Sequence, residues 1–190
     1  MRETCFPICS RNWMLTHWNK LINTDCVVIE KNGEHIYPIF KNGSTSLLTE
    51  ADRLLTNSEI STCRDIKILI REPASRFVSG LNQYCEFHGL DVLETHDKVK
   101  NGTLSDRHFA PQWIWLMHLM RYYKGTVTLE SFDNLNKYCS VHHKKRKSNI
   151  EAVEPLQEYT QQDMVLIKHI GQNLNIEKLV RICKDGLPKT

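Results

Sequence analysis

Residues 37–48 read Tyr-Pro-Ile-Phe-Lys-Asn-Gly-Ser-Thr-Ser-Leu-Leu and predict a strand, a tight turn and the start of a helix. The apolar strand pattern runs directly into the turn, and a helical spacing of apolar residues begins at once. Backbone N–H groups and the helix dipole favour an anion at such a turn. Lys41 adds a positive charge, and hydroxyl donors follow at Ser44, Thr45 and Ser46. The turn is therefore a candidate anion-binding site.

The residues on either side of this turn predict alternating strands and helices. An Asn-Gly pair between two apolar runs indicates a hairpin over 26–40, and the polar residues 89–107 indicate a long loop. Further strands are predicted at 66–70 and 126–129, and helices are predicted over 44–55, over 77–85, from Pro111, and near 159–171 and 175–184. This alternation is typical of an α/β protein, here a three-layer α/β/α sandwich with a mostly parallel sheet.

The length of 190 residues, at 22.2 kDa, predicts a single domain spanning 1–190. We expect its core within 26–138, with the N-terminal segment and C-terminal helices of 151–190 packed against it. The net charge of +3 is mild and does not indicate a nucleic-acid binder. The densest basic run, 142–147, is interpreted as a solvated loop, with a contact for a phosphate group or for an acidic acceptor as the alternatives.

Composition also predicts the compartment. No run of about 18 apolar residues is present, and the N-terminus lacks the apolar region of a signal peptide. The seven cysteines do not form paired Cys-x-x-Cys units, which favours free thiols in a reducing compartment. We therefore expect a cytoplasmic protein without a membrane span. We expect no metal, because no second Cys/His pair accompanies Cys139 and its neighbouring histidines.

A second charged turn follows the strand predicted at 66–70. Its sequence, Arg71-Glu-Pro-Ala-Ser-Arg-Phe-Val-Ser79, places an arginine at the end of a buried strand and a serine two turns into the next helix. Arg71 could bind an anion through two hydrogen bonds, or it could pair with a carboxylate while Ser79 faces solvent. Open α/β sheets bind ligands beyond the carboxyl ends of their strands. The two turns together predict a ligand with two separated anionic groups.

The order of residues in the first turn differs from that of a Walker A loop. That loop needs Gly-x-x-x-x-Gly-Lys-Ser/Thr, whereas Lys41 precedes Gly43 and no glycine lies five residues upstream. This residue order weakens the alternative function, a P-loop-like nucleotide kinase or hydrolase. A plain strand–helix turn with Ser44 as its N-cap, in a non-catalytic anion-binding module, is another alternative.

Both turns resemble the donor-binding motifs of the sulfotransferases. Lys41-x-Gly43-Ser44-Thr45-Ser46 is similar to the family's 5′-phosphosulfate loop, and Arg71-Glu-Pro-x-x-Arg76-x-x-Ser79 is similar to its 3′-phosphate motif. Residues 108–112 and 126–135 resemble the carbohydrate branch of the family. The resemblance covers residues 35–135 and implies a P-loop-like sulfotransferase fold.

The resemblance implies a reaction and a role for each motif residue. The donor would be 3′-phosphoadenosine 5′-phosphosulfate (PAPS) and the product adenosine 3′,5′-bisphosphate (PAP). The acceptor would be a hydroxyl of a glycan or of another small hydroxylated molecule, with no metal required. Lys41 would stabilise the leaving phosphate oxygen, and Arg71 and Ser79 would hold the 3′-phosphate. The 5′-phosphosulfate would be bound by Lys41, Asn42, Gly43, Ser44, Thr45 and Ser46.

Transfer to a hydroxyl also needs a general base. His108 is the first candidate, because a histidine titrates near neutral pH and this one enters the third predicted helix near the expected cleft. A packing or helix-capping role is the alternative for His108. Some sulfotransferases instead use a glutamate or histidine between the two phosphate motifs. The candidates in that interval are Glu50, Asp52, Glu59 and Asp65, of which Glu59 is preferred.

Overall fold

The computed structural model describes residues 24–140 and 153–186, so the basic run at 142–147 lies outside the described residues. The described chain is an α/β structure with one open, six-stranded sheet in the order β3-β1-β2-β4-β5-β6, where the strands are β1 (Ile29–Lys31), β2 (Glu34–Ile36), β3 (Arg53–Leu54), β4 (Asp65–Ile70), β5 (Thr126–Ser131) and β6 (Asn173–Asn175). The helices are α1 (Ser44–Thr49), α2 (Asn57–Thr62), α3 (Pro73–His88), α4 (Val92–Lys100), α5 (Gln112–Leu119), a 3₁₀ helix (Phe132–Lys137), α6 (Gln157–Thr160), α7 (Asp163–Lys168) and α8 (Ile176–Asp185).

The sheet is mixed, so the prediction of a mostly parallel sheet is wrong. β2, β4 and β5 run parallel, whereas the β1–β2, β1–β3 and β5–β6 pairs are antiparallel. The β1–β2 pair has a local cause: Asn32 and Gly33 form its two-residue turn, with φ of 52° and 75°, and such a turn joins antiparallel strands. The predicted hairpin is confirmed. Because β2 and β4 are parallel neighbours, their carboxyl ends lie at the same edge of the sheet.

Two predicted segments have a different structure. The helix predicted over 44–55 ends at Thr49, because Arg53–Leu54 pairs with β1 as an edge strand. The loop predicted over 89–107 contains α4. This helix is polar on most of its surface, and the side chain of Asp91 caps its first turn. The polar residues of 89–107 therefore led to a loop prediction where a helix is present, and the helical spacing of leucines led to a helix prediction where an edge strand is present.

Apolar side chains cover both faces of the sheet. In β4, Ile66, Ile68 and Ile70 belong to a large cluster that includes residues of α3, α4, α5 and α8. Leu69 points to the other face and belongs to a smaller cluster with Leu47 of α1, as expected because successive strand residues alternate between faces. Helices therefore pack on both sides of the strands that carry the two charged turns.

The described residues also bear on the predictions about membranes and thiols. Within 24–140 and 153–186, no helix has the length and apolar character that a membrane crossing needs. The cysteines in these ranges are free thiols at positions 26, 63, 85, 139 and 183. Burial raises the pKa of Cys26 and of Cys183 to about 12, so these two thiols stay protonated and unreactive at neutral pH.

Candidate functional site

The turn after β2 has an unusual backbone that positions Lys41. Both Lys41 and Gly43 have positive φ, 71° and 73°, and this conformation is uncommon for a residue with a side chain. A Cβ atom at Gly43 would also lie 2.7 Å from Leu135 Cδ2. Glycine is therefore favoured at position 43 by its dihedral angle, and a larger residue would also displace the Leu135 side chain. The strained backbone at Lys41 is typical of functional loops.

The turn leads directly into α1. Gly43 is the N-cap, in place of the alternative cap Ser44, and the first helical hydrogen bond runs from Leu47 N–H to the Gly43 carbonyl at 3.0 Å. The earlier N–H groups of the helix have no intrahelical acceptor. Of the three predicted hydroxyl donors, Ser44 and Ser46 are buried and Thr45 is exposed.

The two charged turns meet at the carboxyl edge of the sheet. Arg71 Nη1 donates to the Lys41 carbonyl at 3.2 Å, and Lys41 Nζ donates to Gln83 Oε1 on α3 at 2.6 Å. Gln83 follows Ser79 by four residues, so both side chains lie on one face of α3. Lys41, Arg71 and Ser79, which the sequence predicts to share a ligand, are thus brought to one side of the sheet.

Arg71 is half-buried and carries its charge without a carboxylate partner among the described residues. Its guanidinium lies over the Phe132 ring, 5.4 Å from the centroid, and donates to a backbone carbonyl. Burial lowers the pKa of Arg71, and the nearby charge of Glu72 opposes this shift only in part. The alternative in which Arg71 forms an ion pair is therefore not seen in these residues. A partly desolvated cation of this kind favours an anionic ligand.

Asn42 has a different role from the predicted one. Its side chain is fully buried, and its Nδ2 donates to the Leu69 carbonyl at 2.7 Å and to Gln112 Oε1 at 2.6 Å. Its backbone N–H donates to the Ile39 carbonyl at 3.0 Å. As a correction to the sequence prediction, the Asn42 side chain fastens the turn to β4 and does not face a ligand.

Gln112 is the residue that sequence reasoning missed. Its side-chain amide accepts from Arg71 N–H at 2.9 Å and donates to the Arg71 carbonyl at 2.8 Å, so it pairs with the residue that follows β4. The available signal was a glutamine at the start of an otherwise apolar helix, directly after Pro111. A polar side chain there is buried by the fold and must find partners.

Arg76 and Asp163 hold the surrounding segments from inside the core. The guanidinium of Arg76 donates to the carbonyls of Phe40, at 2.9 Å, and of Ala110. The carboxylate of Asp163 accepts from the backbone N–H groups at the start of α5, at 2.6 and 2.9 Å. Burial lowers the pKa of Arg76 to about 10 and raises the pKa of Asp163 to about 6. Both groups are structural supports, since each is about 1% exposed.

His108 lies beside the turn and pairs with a carboxylate. Its ring is 5.1 Å from the Phe40 ring and 6.1 Å from the Tyr84 ring. Phe40 and Tyr84 are the chain neighbours of Lys41 and Gln83, which hydrogen-bond to each other, so His108 packs against the segments that carry that pair.

The histidine is oriented by Asp106. Asp106 Oδ1 hydrogen-bonds to His108 Nδ1 and accepts from the His108 N–H at 2.8 Å. Burial alone would raise the pKa of Asp106, but these hydrogen bonds outweigh it and lower the pKa. An ionised Asp106 can only accept, so Nδ1 carries the hydrogen, and in the neutral ring Nε2 is then the atom with the free lone pair. This tautomer suits a general base.

Glu59 lies outside this site. It belongs to α2, which precedes the amino end of β4, whereas Lys41 and Arg71 follow the carboxyl ends of β2 and β4. Its carboxylate accepts from Thr56 N–H at 2.8 Å and forms an ion pair with Arg53 at 2.7 Å. Hydrogen bonds from Thr56 and Arg53 lower the pKa of Glu59 to about 2. As a correction to the sequence prediction, Glu59 is a helix-capping residue and is not brought together with Lys41.

A cleft of about 340 Å³ opens beside the turn. Phe40 and Trp115 form a stacked pair in its wall, with centroids 6.1 Å apart and planes at 11°. Arg107 lies over the Phe40 ring at 5.3 Å, and Ser44 also lines the cleft. The lining of this cleft includes Phe40 and Arg107, the chain neighbours of Lys41 and His108, but neither Lys41, Arg71 nor His108 itself. A larger cavity of about 410 Å³ surrounds Asp65, at the amino end of β4, and is likewise lined by none of these three residues.

The donor set of the site suits an anion. Cations and backbone N–H groups converge on it, and in the described parts of the chain no cluster of three or more histidine, cysteine or acidic side chains is arranged to hold a metal. Comparisons with known proteins add nothing to this geometry. No protein-family model matches the chain, and no curated protein or solved structure matches it.

Proposed function

We propose that this chain is a sulfotransferase with a P-loop-like sulfotransferase fold, which moves a sulfuryl group from PAPS to an acceptor hydroxyl. The observation that carries the proposal is the contact between the turns that follow two parallel strands: Arg71 Nη1 donates to the backbone carbonyl of Lys41 at 3.2 Å. The Lys41 ammonium donates to Gln83, and the Arg71 guanidinium lies over Phe132. Two cations on contacting turns, each with its own surroundings, fit a donor with two separated anionic groups. The residue order of both turns supports a sulfotransferase over a Walker A enzyme.

The residues of the site fit each end of this donor. PAPS supplies the sulfuryl group, whose bond to the 5′-phosphate oxygen breaks as the bond to the acceptor oxygen forms. Arg71 lacks a carboxylate partner in the described chain, so it can bind the 3′-phosphate together with Ser79. Lys41 can leave Gln83 and stabilise negative charge on the leaving oxygen, beside the N–H groups of α1. These groups stabilise charge without a metal.

His108 is the proposed general base, supported by its pairing with Asp106. The Nε2 lone pair can accept the proton that the acceptor hydroxyl loses. Asp106 fixes the tautomer and stabilises the imidazolium that forms. The same carboxylate oxygen accepts from the backbone N–H of His108, so the carboxylate is fixed relative to the histidine whose ring it orients.

The cleft beside the turn is the proposed acceptor site. Its stacked Phe40–Trp115 wall offers an apolar aromatic face, and Arg107 and Ser44 offer polar groups at its rim. Pockets that combine an aromatic wall with a few polar groups orient small ligands. A hydroxyl of a carbohydrate is the acceptor that this lining and the motif resemblance favour, with the protein acting in the cytoplasm.

Ligand-induced stabilisation tests the donor. We expect PAP to raise the melting temperature, by about 2.7 kcal/mol of stabilisation at 100 times Kd, or roughly 5–10 °C for a chain of this size. ATP with magnesium should have little effect. Stabilisation by ATP with magnesium but not by PAP would refute the sulfotransferase and support a kinase or hydrolase.

Two substitutions, with a matched control, locate the chemistry. Arg71→Ala should weaken PAP binding about 10- to 100-fold, because it removes charge-assisted hydrogen bonds. Lys41→Ala should reduce transfer from PAPS far more than it reduces PAP affinity. The matched control is Lys124→Ala, since Lys124 is exposed and pairs with Glu177 far from the site. PAP binding with no transfer to any of a panel of hydroxylated acceptors would instead support a non-catalytic binding module.

A further inference from the structure

A buried side-chain network joins the two charged turns, and Gln112 is at its centre. The Gln112 amide pairs with both backbone groups of Arg71, accepting from its N–H and donating to its carbonyl. This is the pattern by which a neighbouring strand would pair with that residue. Gln112 therefore extends the ladder of β4 by one residue, at the point where the sheet ends and Arg71 begins.

The same amide also fixes the other turn. Gln112 Oε1 accepts from Asn42 Nδ2 at 2.6 Å, and Asn42 Nδ2 donates as well to the Leu69 carbonyl at 2.7 Å. Backbone partners fix which end of each amide is which, because Leu69 offers an oxygen and Arg71 offers both groups. The orientation of the two amides is thus determined by the fold. Asn42 and Gln112 are fully buried, so solvent does not compete for these bonds.

Asp163 supports Gln112 from behind. Its carboxylate accepts from the Gln112 N–H at 2.6 Å and from Gln112 Nε2 at 3.4 Å, and from Trp113 N–H at 2.9 Å. Pro111 offers no side-chain cap to α5, so Asp163 performs that function from 50 residues further along the chain. The network therefore ties the first turn, the second turn and α5 to one buried carboxylate.

We propose that Gln112 is a positioning residue that sets the distance between the Lys41 turn and Arg71, and so selects a ligand with two anionic groups one nucleotide apart. This role rests on the proposed function for its ligand, but the network itself does not. The spacing matters because a ligand gains affinity from a second contact only when the distance between the two protein groups matches the distance between its own two anionic groups. A protein with loosened turns should bind each single phosphate as before and lose the advantage of binding two.

The test compares one bisphosphate with its two monophosphate parts. Kd is measured for PAP, adenosine 5′-monophosphate and adenosine 3′-monophosphate in wild type, Gln112→Leu and Asn42→Ala. We expect PAP affinity to fall at least tenfold in both variants and the monophosphate affinities to change less than threefold. Leu119→Ala, in the same helix and equally buried, controls for general destabilisation and should leave the ratio of PAP to monophosphate affinity within twofold. Equal losses for all three ligands, or unchanged PAP affinity, would overturn the proposal.

Amide hydrogen exchange separates this proposal from the proposed function. The Arg71 N–H donates directly to Gln112 Oε1, so its exchange reports the network without any ligand. We expect Gln112→Leu to accelerate exchange at Arg71 and over 42–46 together, and Leu119→Ala to leave both near the wild-type rates. If wild type binds no PAP, the sulfotransferase proposal fails, but amide exchange still shows whether Gln112 links the two turns. Unchanged exchange in Gln112→Leu, or acceleration at only one of the two turns, would refute the link. Asn42→Ala supplies the same comparison should Gln112→Leu not fold.

Discussion

Gly80 offers a sharp test of the structure, because replacing it by alanine should have the opposite effect from the usual one. Gly80 lies inside α3, against the segment that carries His108. A Cβ atom at this position would lie 2.2 Å from the His108 carbonyl oxygen, 2.7 Å from its carbonyl carbon and 3.1 Å from Phe109 Cα. These are backbone atoms, and Arg76 fastens the next residue, Ala110, to the same helix. The helix and the segment would have to separate by roughly 1 Å to restore van der Waals distances.

The magnitude follows from two opposing terms. Glycine to alanine inside a helix ordinarily stabilises by about 1 kcal/mol, because alanine has the higher helix propensity. Overpacking a well-filled interior costs about 1–3 kcal/mol or more, and contacts with rigid backbone favour the upper end. We expect Gly80→Ala to lower the free energy of unfolding by about 2 kcal/mol, which is roughly 4–8 °C in melting temperature for a chain of this length. His108 would also move, so transfer should fall more than PAP affinity.

Urea unfolding followed by circular dichroism measures this change. Lys178→Ala is the control, because Lys178 is an exposed position in a helix, α8, and its replacement should change stability by less than about 0.5 kcal/mol. A shift of the Gly80→Ala midpoint to lower urea, with an unchanged slope, would support the close approach. A variant as stable as wild type, or more stable, would refute the packing of α3 against residues 108–109.

Two further predictions concern carboxylates. Glu59→Gln should reduce the free energy of unfolding at neutral pH and leave sulfuryl transfer unchanged. Because the folded pKa of Glu59 is lowered to about 2, this difference from wild type should disappear as the pH falls from about 4.5 towards 2. A loss of transfer would instead support Glu59 as the base. The pH dependence expected for Asp163 is the opposite, because burial raises its folded pKa from 3.8 to about 6. The unfolding free energy of wild type should therefore rise relative to that of Asp163→Asn, by up to ~3 kcal/mol, as the pH falls from 7 to 4. A pH-independent difference in unfolding free energy between these two proteins would contradict the burial of that charge.

Local patterns in the sequence were sufficient for several elements. The Asn-Gly turn of the hairpin, the apolar strand at 66–70 and the helix opened by Pro111 are each determined by residues within a few positions of one another, and the structure contains all three. The same holds for the second charged turn, because β4 ends at Ile70 and α3 begins at Pro73. The first turn is longer than its sequence predicts, because β2 ends at Ile36 and α1 begins only at Ser44. The pairing of the two turns at one sheet edge follows from the parallel β2 and β4.

Partners distant in sequence could not be predicted in this way. The strand Arg53–Leu54 pairs with β1 more than twenty residues earlier, and this pairing outweighs the local helical spacing of leucines. Glu59 has a carboxylate, the kind of side chain expected of a base, but it caps the helix that precedes the amino end of β4. In both cases the tertiary contacts stabilise a conformation that local propensity does not favour.

The sequence by itself identified Lys41 and Arg71 as candidates to hold an anion, and it predicted the alternating strands and helices of an α/β fold. Only the tertiary structure decided how those residues are held, through Gln112 and Asp163. The bond from Gln112 to Arg71 spans 41 residues, and the bond from Gln112 N–H to Asp163 spans 51. Such contacts form because burial removes water from these polar groups and leaves them to satisfy one another, and which groups meet in the interior depends on the packing of the whole chain.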